Sequence, residues 1–165
     1  MKIDWQLMLG GIFQALQPSL PYLLLLFLFG AVATWPIPGR GPGFFPTRDV
    51  WRGFKFDSRR VVLERCGGRC EGAVFLAWGR CDEPATEVDH IYPWSKGGPT
   101  TAGNGQGLCA GHNRRKSAMT PPWWYVRSLE KRRRAYFPDG VSVRVVARMT
   151  PEDKALRAAW VARRR

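Results

Sequence analysis

The feature that most constrains how this chain folds is a stretch without any charged side chain, which runs from residue 5 to residue 39 of 165. Its most apolar part is residues 20–35, and residues 12–17 extend the apolar character towards the N-terminus. A helix needs about 20 apolar residues to cross the hydrocarbon core of a membrane. The chain therefore divides by composition into an apolar N-terminal segment and a polar remainder.

Three interpretations of residues 1–35 are open at this level. A membrane anchor, with membrane association through residues 8–35, is favoured because the apolar stretch is long and Asp4 nearly cancels Lys2. A signal peptide ending at the small-x-small triplet 31–33, with secretion after cleavage, and a buried helix of the soluble domain are the alternatives. If the segment spans a membrane, the basic residues after it predict a cytoplasmic C-terminal part. These residues are Arg40, Arg48, Arg52, Lys55, Arg59 and Arg60.

The remainder divides by composition into three parts. Residues 36–57 are rich in Pro and Gly at their start and are predicted to be a linker, residues 58–120 a small domain, and residues 121–165 a basic extension. Within them the local patterns predict helices at 58–66, from about Asn113 and from Thr150, and strands at 86–91 and 141–146.

The charge of the chain favours a polyanionic partner. Lys and Arg number 26 against 13 Asp and Glu, which gives a net charge of +13. Basic side chains that neutralise phosphates release counterions and gain affinity, so nucleic acid is the first expectation and anionic lipid the second. Residues 114–165 carry 15 of the Lys and Arg against 4 Asp and Glu, and the runs 131–134 and 163–165 are candidates for either contact.

The cysteines indicate either disulfides or a metal site. Cys109 and His112 have the spacing of half a zinc knuckle, and a structural zinc site takes four nitrogen or sulfur ligands. Three further cysteines, Cys66, Cys70 and Cys81, compete for the two other places. Zinc would stabilise a domain that is too small to rely on its apolar core.

The segment from Cys70 to Lys116 carries the most specific pattern of the chain. A Cys-x10-Cys pair is followed by VDHIYPWSKGG, then Asn104, then LCAGHNRRK. This order of parts, over about residues 58–118, resembles the zinc-containing bacterial and phage branch of the HNH endonuclease family. The resemblance implies an α+β fold of the ββα-metal type, in which a β-hairpin with the Asp-His pair packs on a helix.

The resemblance also implies roles for four residues of an H-N-N variant. Asp89 and Asn113 match the protein ligands of a catalytic Mg²⁺ or Mn²⁺, His90 matches the general base that activates water, and Asn104 matches the residue that ties the loop to the His-bearing strand. The chemistry of phosphodiester hydrolysis requires the same set, a base and a cation on oxygen ligands. Consecutive residues on a strand point to opposite faces, so Asp89 and His90 need a bent local geometry. The predicted function is therefore metal-dependent cleavage of DNA.

By the same resemblance the zinc ligands are Cys70, Cys81, Cys109 and His112, with Cys66 as the alternative to Cys81. The residues expected to bind DNA phosphates are Lys96, Arg114, Arg115 and Lys116, and Lys116 matches the basic position of the family. The aromatic residues 123–125 are expected to stack on bases or to pack on the domain. No small-molecule cofactor is expected, and the alternative function is a zinc-stabilised DNA-binding module without catalysis.

Overall fold

A computed structural model describes residues 5–164 except 36, 38, 44, 45 and 75–77. The expectations that rest on Lys2, Asp4 and Arg165 lie outside these residues. The chain divides into two compact units, residues 1–35 and residues 36–165.

The first unit consists of two helices. Helix α1 (Trp5–Leu16) is followed by a single 3-10 turn, Gln17–Ser19, and by α2 (Leu20–Thr34). Pro21 lies in the first turn of α2, where its missing N–H needs no partner. The helical stretch Gln14–Thr34 has 21 residues and a mean hydropathy of 1.7, and no residue of α2 is buried. Its length and composition suit a membrane anchor or a signal sequence.

The second unit is built around a two-stranded antiparallel sheet. Strand β1 (Glu87–His90) pairs with β2 (Gly105–Leu108), so that Asp89 lies opposite Gln106 and His90 opposite Gly105. Helix α3 (Phe56–Arg65) and helix α4 (Ala110–Lys116) both contact this sheet. The family's α+β arrangement is therefore confirmed as a mixed helical domain with a small sheet.

Glycines in β2 allow α3 to approach the sheet closely. A Cβ at Gly105 would lie 2.7 Å from Val62, and a Cβ at Gly107 would lie 2.7 Å from the sulfur of Cys66. Since carbon atoms do not approach so closely, only glycine fits at both positions. The face of the sheet that carries Gly105 and His90 is therefore covered by α3.

Two helices begin earlier than the sequence predicts. Helix α3 begins at Phe56 because Ser58 is the third helical residue, where its hydroxyl accepts the Lys55 N–H at 3.1 Å. Helix α4 begins at Ala110, with Cys109 as the N-cap residue whose sulfur accepts the His112 N–H at 3.4 Å. Ser58 thus acts from the third position of α3 instead of preceding it, and only α4 begins at a side-chain cap upstream of the predicted start.

The C-terminal part contains two further helices and no strand in its described residues. Helix α5 (Trp123–Arg133) is followed by an irregular segment and by α6 (Pro151–Ala162), which begins at the predicted Thr150 cap. The predicted strand at 141–146 is wrong, because the N–H groups of Val145 and Val146 donate to the Glu130 carboxylate and to the Gly103 carbonyl instead of to a strand.

Both flanks of the central domain contribute to one packed body. The main apolar cluster joins residues of the loop after β1 to residues of α5 and the segment after it, namely Ile91, Tyr92, Val126, Leu129, Val145 and Ala147. The predicted linker supplies the buried side chains of Asp49 and Phe54. Arg133 of α5 forms an ion pair with Glu71 at 2.7 Å, with both side chains fully buried. Residues 46–57 and 121–164 therefore shape the site as well as the central domain does.

Candidate functional site

One face of β1 presents oxygen ligands towards α4. Glu87 and Asp89 alternate along the strand and so point to the same face. The Asn113 side chain of α4 donates from Nδ2 to the Glu87 carboxylate, and the Lys116 ammonium lies 2.7 Å from Oδ2 of Asp89. Strand and helix together thus gather two carboxylates, an amide and one ammonium group.

This group of side chains fits a small divalent cation. Carboxylate and amide oxygens are the hard ligands that Mg²⁺ and Mn²⁺ prefer. Nδ2 of Asn113 donates to Glu87, and the amide oxygen Oδ1 is the atom of this side chain that can act as a metal ligand. The Lys116 ammonium already shows that positive charge is stabilised next to the Asp89 carboxylate. We conclude that the donor set suits a divalent cation.

The opposite face of β1 carries His90, which is only 6% exposed. Its ring packs against Phe54, with 4.6 Å between the ring centroids, and its Nε2 lies 2.9 Å from the Thr100 hydroxyl. That hydroxyl donates to the Trp51 carbonyl, so it accepts the proton of Nε2. Nδ1 of His90 is then the nitrogen with a free lone pair.

The surroundings of His90 keep its imidazole neutral. Burial lowers the pKa of His90 to about 4, and the nearby carboxylates of Asp89 and Asp49 offset only part of that effect. The pKa of His90 is therefore well below the ordinary histidine value of about 6.5. At pH 7 the ring is in the form that accepts a proton, although it binds that proton more weakly than a free histidine does.

A buried network from three distant segments holds the loop behind His90. The Thr100 N–H donates to Asp49 at 2.9 Å, and its carbonyl accepts from Arg157 of α6 at 2.9 Å. Arg157 also pairs with Asp49 at 3.3 Å and lies 4.0 Å from the centre of the Trp51 ring. Both polar groups of the Thr100 backbone are thus bound, the N–H by Asp49 of the predicted linker and the carbonyl by Arg157 of α6.

Asn104 acts on the same loop from its other end. Its Nδ2 donates to the carbonyls of Tyr92 and Pro99 at 3.0 and 2.9 Å, and its Oδ1 accepts the Tyr92 N–H at 2.9 Å. The residue is fully buried. All its polar atoms are used inside the protein, so Asn104 shapes the loop and leaves no atom for substrate.

The four predicted zinc ligands lie together. The ligand atoms of Cys70, Cys81, Cys109 and His112 are all within 4.8 Å of one another. Nδ1 of His112 is 3.6 Å from the Cys70 sulfur and 3.2 Å from the Cys109 sulfur. A tetrahedral zinc site with bonds of about 2.3 Å separates its ligand atoms by roughly 3.7 Å. The cluster is therefore compatible with a structural zinc.

The surroundings of the cluster also fit a metal. Nε2 of His112 lies 3.1 Å from the Ala73 carbonyl, which holds the ring so that Nδ1 faces the sulfurs. A Cβ at Gly72 would lie 2.4 Å from that ring, so only glycine leaves room for it. The Gly72 and Cys109 N–H groups donate to the Cys70 sulfur at 3.3 and 3.2 Å, as suits a thiolate.

The thiols differ in how readily they ionise. Burial raises the pKa of Cys70 to about 11. Burial also acts to raise the pKa of Cys109, but hydrogen bonds from the backbone and ring of His112 lower it to about 7. A cation among the sulfurs is therefore the group that would keep both as thiolates at neutral pH. Cys66 lies apart from this cluster, buried at the end of α3 with its sulfur 3.2 Å from the Leu63 carbonyl.

The basic residues predicted to bind phosphates differ in position. Lys116 contacts Asp89, and Arg115 lies beside the ring of His112 at 3.4 Å. Lys96 and Arg114 are exposed, and neither forms an ion pair among the described residues. Arg133, from the basic run 131–134, is used in the buried pair with Glu71 and is not available to a polyanion.

Sequence reasoning missed several residues of the site. Glu87 was detectable, since the two-residue period of a strand puts it on the face of Asp89. Thr100, Asp49 and Arg157 carried no local signal, because their contacts join segments that are up to 108 residues apart. Only the folded chain brings them to His90.

Comparison with known proteins gave one family match. The family model described as HNH endonuclease matches residues 64–118, about a third of the chain. This range contains β1, β2, α4 and the whole Cys and His cluster. No curated protein and no solved structure matches the chain.

Proposed function

Because residues 64–118 are an HNH endonuclease domain, we propose that this chain hydrolyses phosphodiester bonds in DNA. The observation that carries the proposal is that the end of β1 carries oxygen ligands on one face and an imidazole on the other. Asp89 and Asn113 offer oxygen ligands on one face, and His90 offers a neutral imidazole on the other. The net charge of +13 supports a polyanionic substrate.

The proposed reaction takes place across the unpaired edge of β1. Within the described part of the chain β1 has one strand neighbour, β2, and the proposal places the phosphate at the other edge of β1, between its two faces. Nδ1 of His90 accepts the proton of the attacking water, while the Thr100 hydroxyl holds the Nε2 proton. Asn104 supports the loop that carries both contacts.

Asp89 and Oδ1 of Asn113 would hold Mg²⁺ or Mn²⁺ at this edge. When bound, such a cation supplies positive charge to the phosphate oxygens that become more negative in the transition state. Lys116, next to Asp89, would bind the DNA phosphate adjacent to the one that is hydrolysed. Lys96, Arg114 and Arg115 would make further contacts to phosphates along the DNA backbone. In the proposed structural site, Cys70, Cys81, Cys109 and His112 hold Zn²⁺ and fix the start of α4.

The test of catalysis uses the full chain in detergent micelles with its zinc retained. We expect it to nick supercoiled plasmid when Mg²⁺ or Mn²⁺ is added, and we expect His90→Ala to lose at least about a hundredfold of that activity, since general base catalysis contributes about 10²–10⁴-fold. Zinc content and melting temperature of the variant serve as the folding control. Equal nicking by both proteins, or none by either, would contradict the proposal.

We further propose that residues 1–35 tether the domain to a membrane with the nuclease on the cytoplasmic side. The helix Gln14–Thr34 has the length and apolarity to span, and the first charged residues after it are basic. A topology reporter fused after Arg165 should give a cytoplasmic signal in cells. A signal outside the membrane would contradict this orientation and support export.

A further inference from the structure

Beside the proposed reaction centre, residues of α4 and α5 line an open pocket of about 420 Å³. Its wall is mainly apolar and aromatic, formed by Leu108, Met119, Trp124 and Tyr125. Lys116 also lines it. We call this space the α4–α5 pocket. Its volume lies within the range of small-ligand sites, which is about 300–1,000 Å³.

Two contacts tie the α4–α5 pocket to Asp89. Lys116 lines the pocket and also places its ammonium 2.7 Å from the Asp89 carboxylate. The Tyr125 hydroxyl lies 3.3 Å from Gln106, which pairs with Asp89 across the sheet. Lys116 therefore joins the pocket to the carboxylate at which the proposed function places the phosphate.

The chemistry of the pocket suits one part of a nucleotide. Trp124 is 38% exposed and Met119 is 60% exposed, so an aromatic and a polarisable side chain are available to a flat ligand. Arg115 and Lys116 add positive charge at the same place. Aromatic surface for a base next to cations for its phosphates is how proteins bind unpaired nucleic-acid strands.

We propose that the α4–α5 pocket binds an unpaired base of the DNA strand whose phosphate is hydrolysed, with Trp124 as the stacking residue. This inference rests on the proposed function and adds a substrate class to it. Removing a base from a duplex costs unstacking and unpairing, and that cost is least where the base is already unpaired. The expected substrates are therefore single strands, flaps and mismatched sites, cut in preference to a fully paired duplex.

The test measures binding without cleavage. The His90→Ala chain, in detergent micelles with zinc retained, is titrated into a fluorescein-labelled single-stranded oligothymidylate and into an abasic deoxyribose-phosphate chain of the same length. Both ligands carry the same charge, so a difference in their affinity reports contacts to the bases. We expect about tenfold weaker binding of the abasic chain, because stacking on an aromatic side chain is worth about that factor per base.

Two variants in the His90→Ala background locate that difference. Trp124→Ala should bind both ligands equally. Trp123→Ala is the matched control, since Trp123 is a neighbour on α5 with the same 38% exposure but does not line the pocket. It should retain the preference for the base-bearing strand. Zinc content and melting temperature show whether each variant is folded.

Each outcome decides the inference. Equal binding of the two ligands by the parent chain, or an unchanged preference in Trp124→Ala, would overturn it. The inference would also be overturned if the parent chain showed no base preference and Trp124→Ala lost binding to anionic lipid nanodiscs. That result would assign the pocket to lipid. A base preference together with no plasmid nicking by the natural chain would support the pocket and refute the nuclease.

Discussion

The two faces of β1 are built in different ways. The face with Asp89 is half-buried and is completed by Glu87, Asn113 and Lys116, all within 30 residues of one another. The face with His90 is buried and is completed by segments around residues 49–54, 100 and 157. The Asp89 face is thus formed by residues that are near one another in the sequence, whereas the His90 face is formed by segments that are far apart in the sequence.

This difference matches what each group has to do. Under the proposed function, the oxygen ligands must exchange a cation and meet a phosphate, and they lie on the face that is only half-buried. A base must keep one tautomer and one orientation, which a buried hydrogen bond to Thr100 provides. The contrast predicts that loss of the Cys and His cluster first disturbs the face of β1 that carries Asp89. Loss of Arg157 should first disturb the position of His90.

The largest effect is expected from the zinc cluster. Cys81→Ser removes one of the four proposed zinc ligands, so zinc content should fall from near stoichiometric to near zero, and the start of α4 should lose its order. Atomic absorption and circular dichroism measure both changes. Cys66→Ser is the matched control, because Cys66 lies outside the cluster. Zinc loss in Cys66→Ser with zinc retained in Cys81→Ser would reverse the assignment.

The next effect is expected from the buried pair behind His90. Arg157→Ala leaves Asp49 buried without its charge partner, which costs about 3–5 kcal/mol of unfolding free energy. Denaturant unfolding of the full chain in micelles measures this. Arg163→Ala, an exposed arginine just after α6, should change stability by less than about 0.5 kcal/mol. Equal losses in both variants would mean that the pair does not stabilise the fold.

A smaller effect is expected from the hydrogen bond to the His90 ring. Thr100→Val keeps the shape of the side chain but removes the acceptor for Nε2, so kcat should fall about 10–100-fold with little change in KM. Thr100→Ser keeps the hydroxyl and should restore most of the rate. Steady-state cleavage of a labelled oligonucleotide separates the two constants. An equal loss in Ser and Val variants would point to packing and not to the hydrogen bond.

The smallest effect is expected on the ligand face. Glu87→Gln keeps a partner for the Asn113 amide but removes one negative charge near the cation ligands, so the Mg²⁺ concentration for half-maximal activity should rise several-fold. Metal titration of the cleavage rate measures the shift. Glu64→Gln, an exposed carboxylate on α3, is the control and should leave the titration curve unchanged. A Glu87→Gln curve that coincides with the natural one would exclude Glu87 from the cation site.

The sequence predicted most of the ligand face and little of its counterpart. The resemblance to the HNH family indicated Asp89, Asn113 and the Cys and His cluster, and the composition of residues 86–91 predicted the strand. The low pKa of His90 was not, since it comes from burial against Phe54 and Thr100. Residues 141–146 have strand propensity, yet the Glu130 carboxylate takes a backbone N–H there, and no local pattern reveals that.

Arg157 and Asp49 are 108 residues apart, yet both fix the segment that orients the His90 ring. Chains are synthesised from the N-terminus, so every residue of the HNH domain leaves the ribosome before α6 does. A nascent or truncated chain that ends before residue 157 carries the complete motif but lacks the group that anchors the loop. Under the proposed function, such a fragment is expected to hold the loop around Thr100, and with it the His90 ring, less firmly than the full chain does.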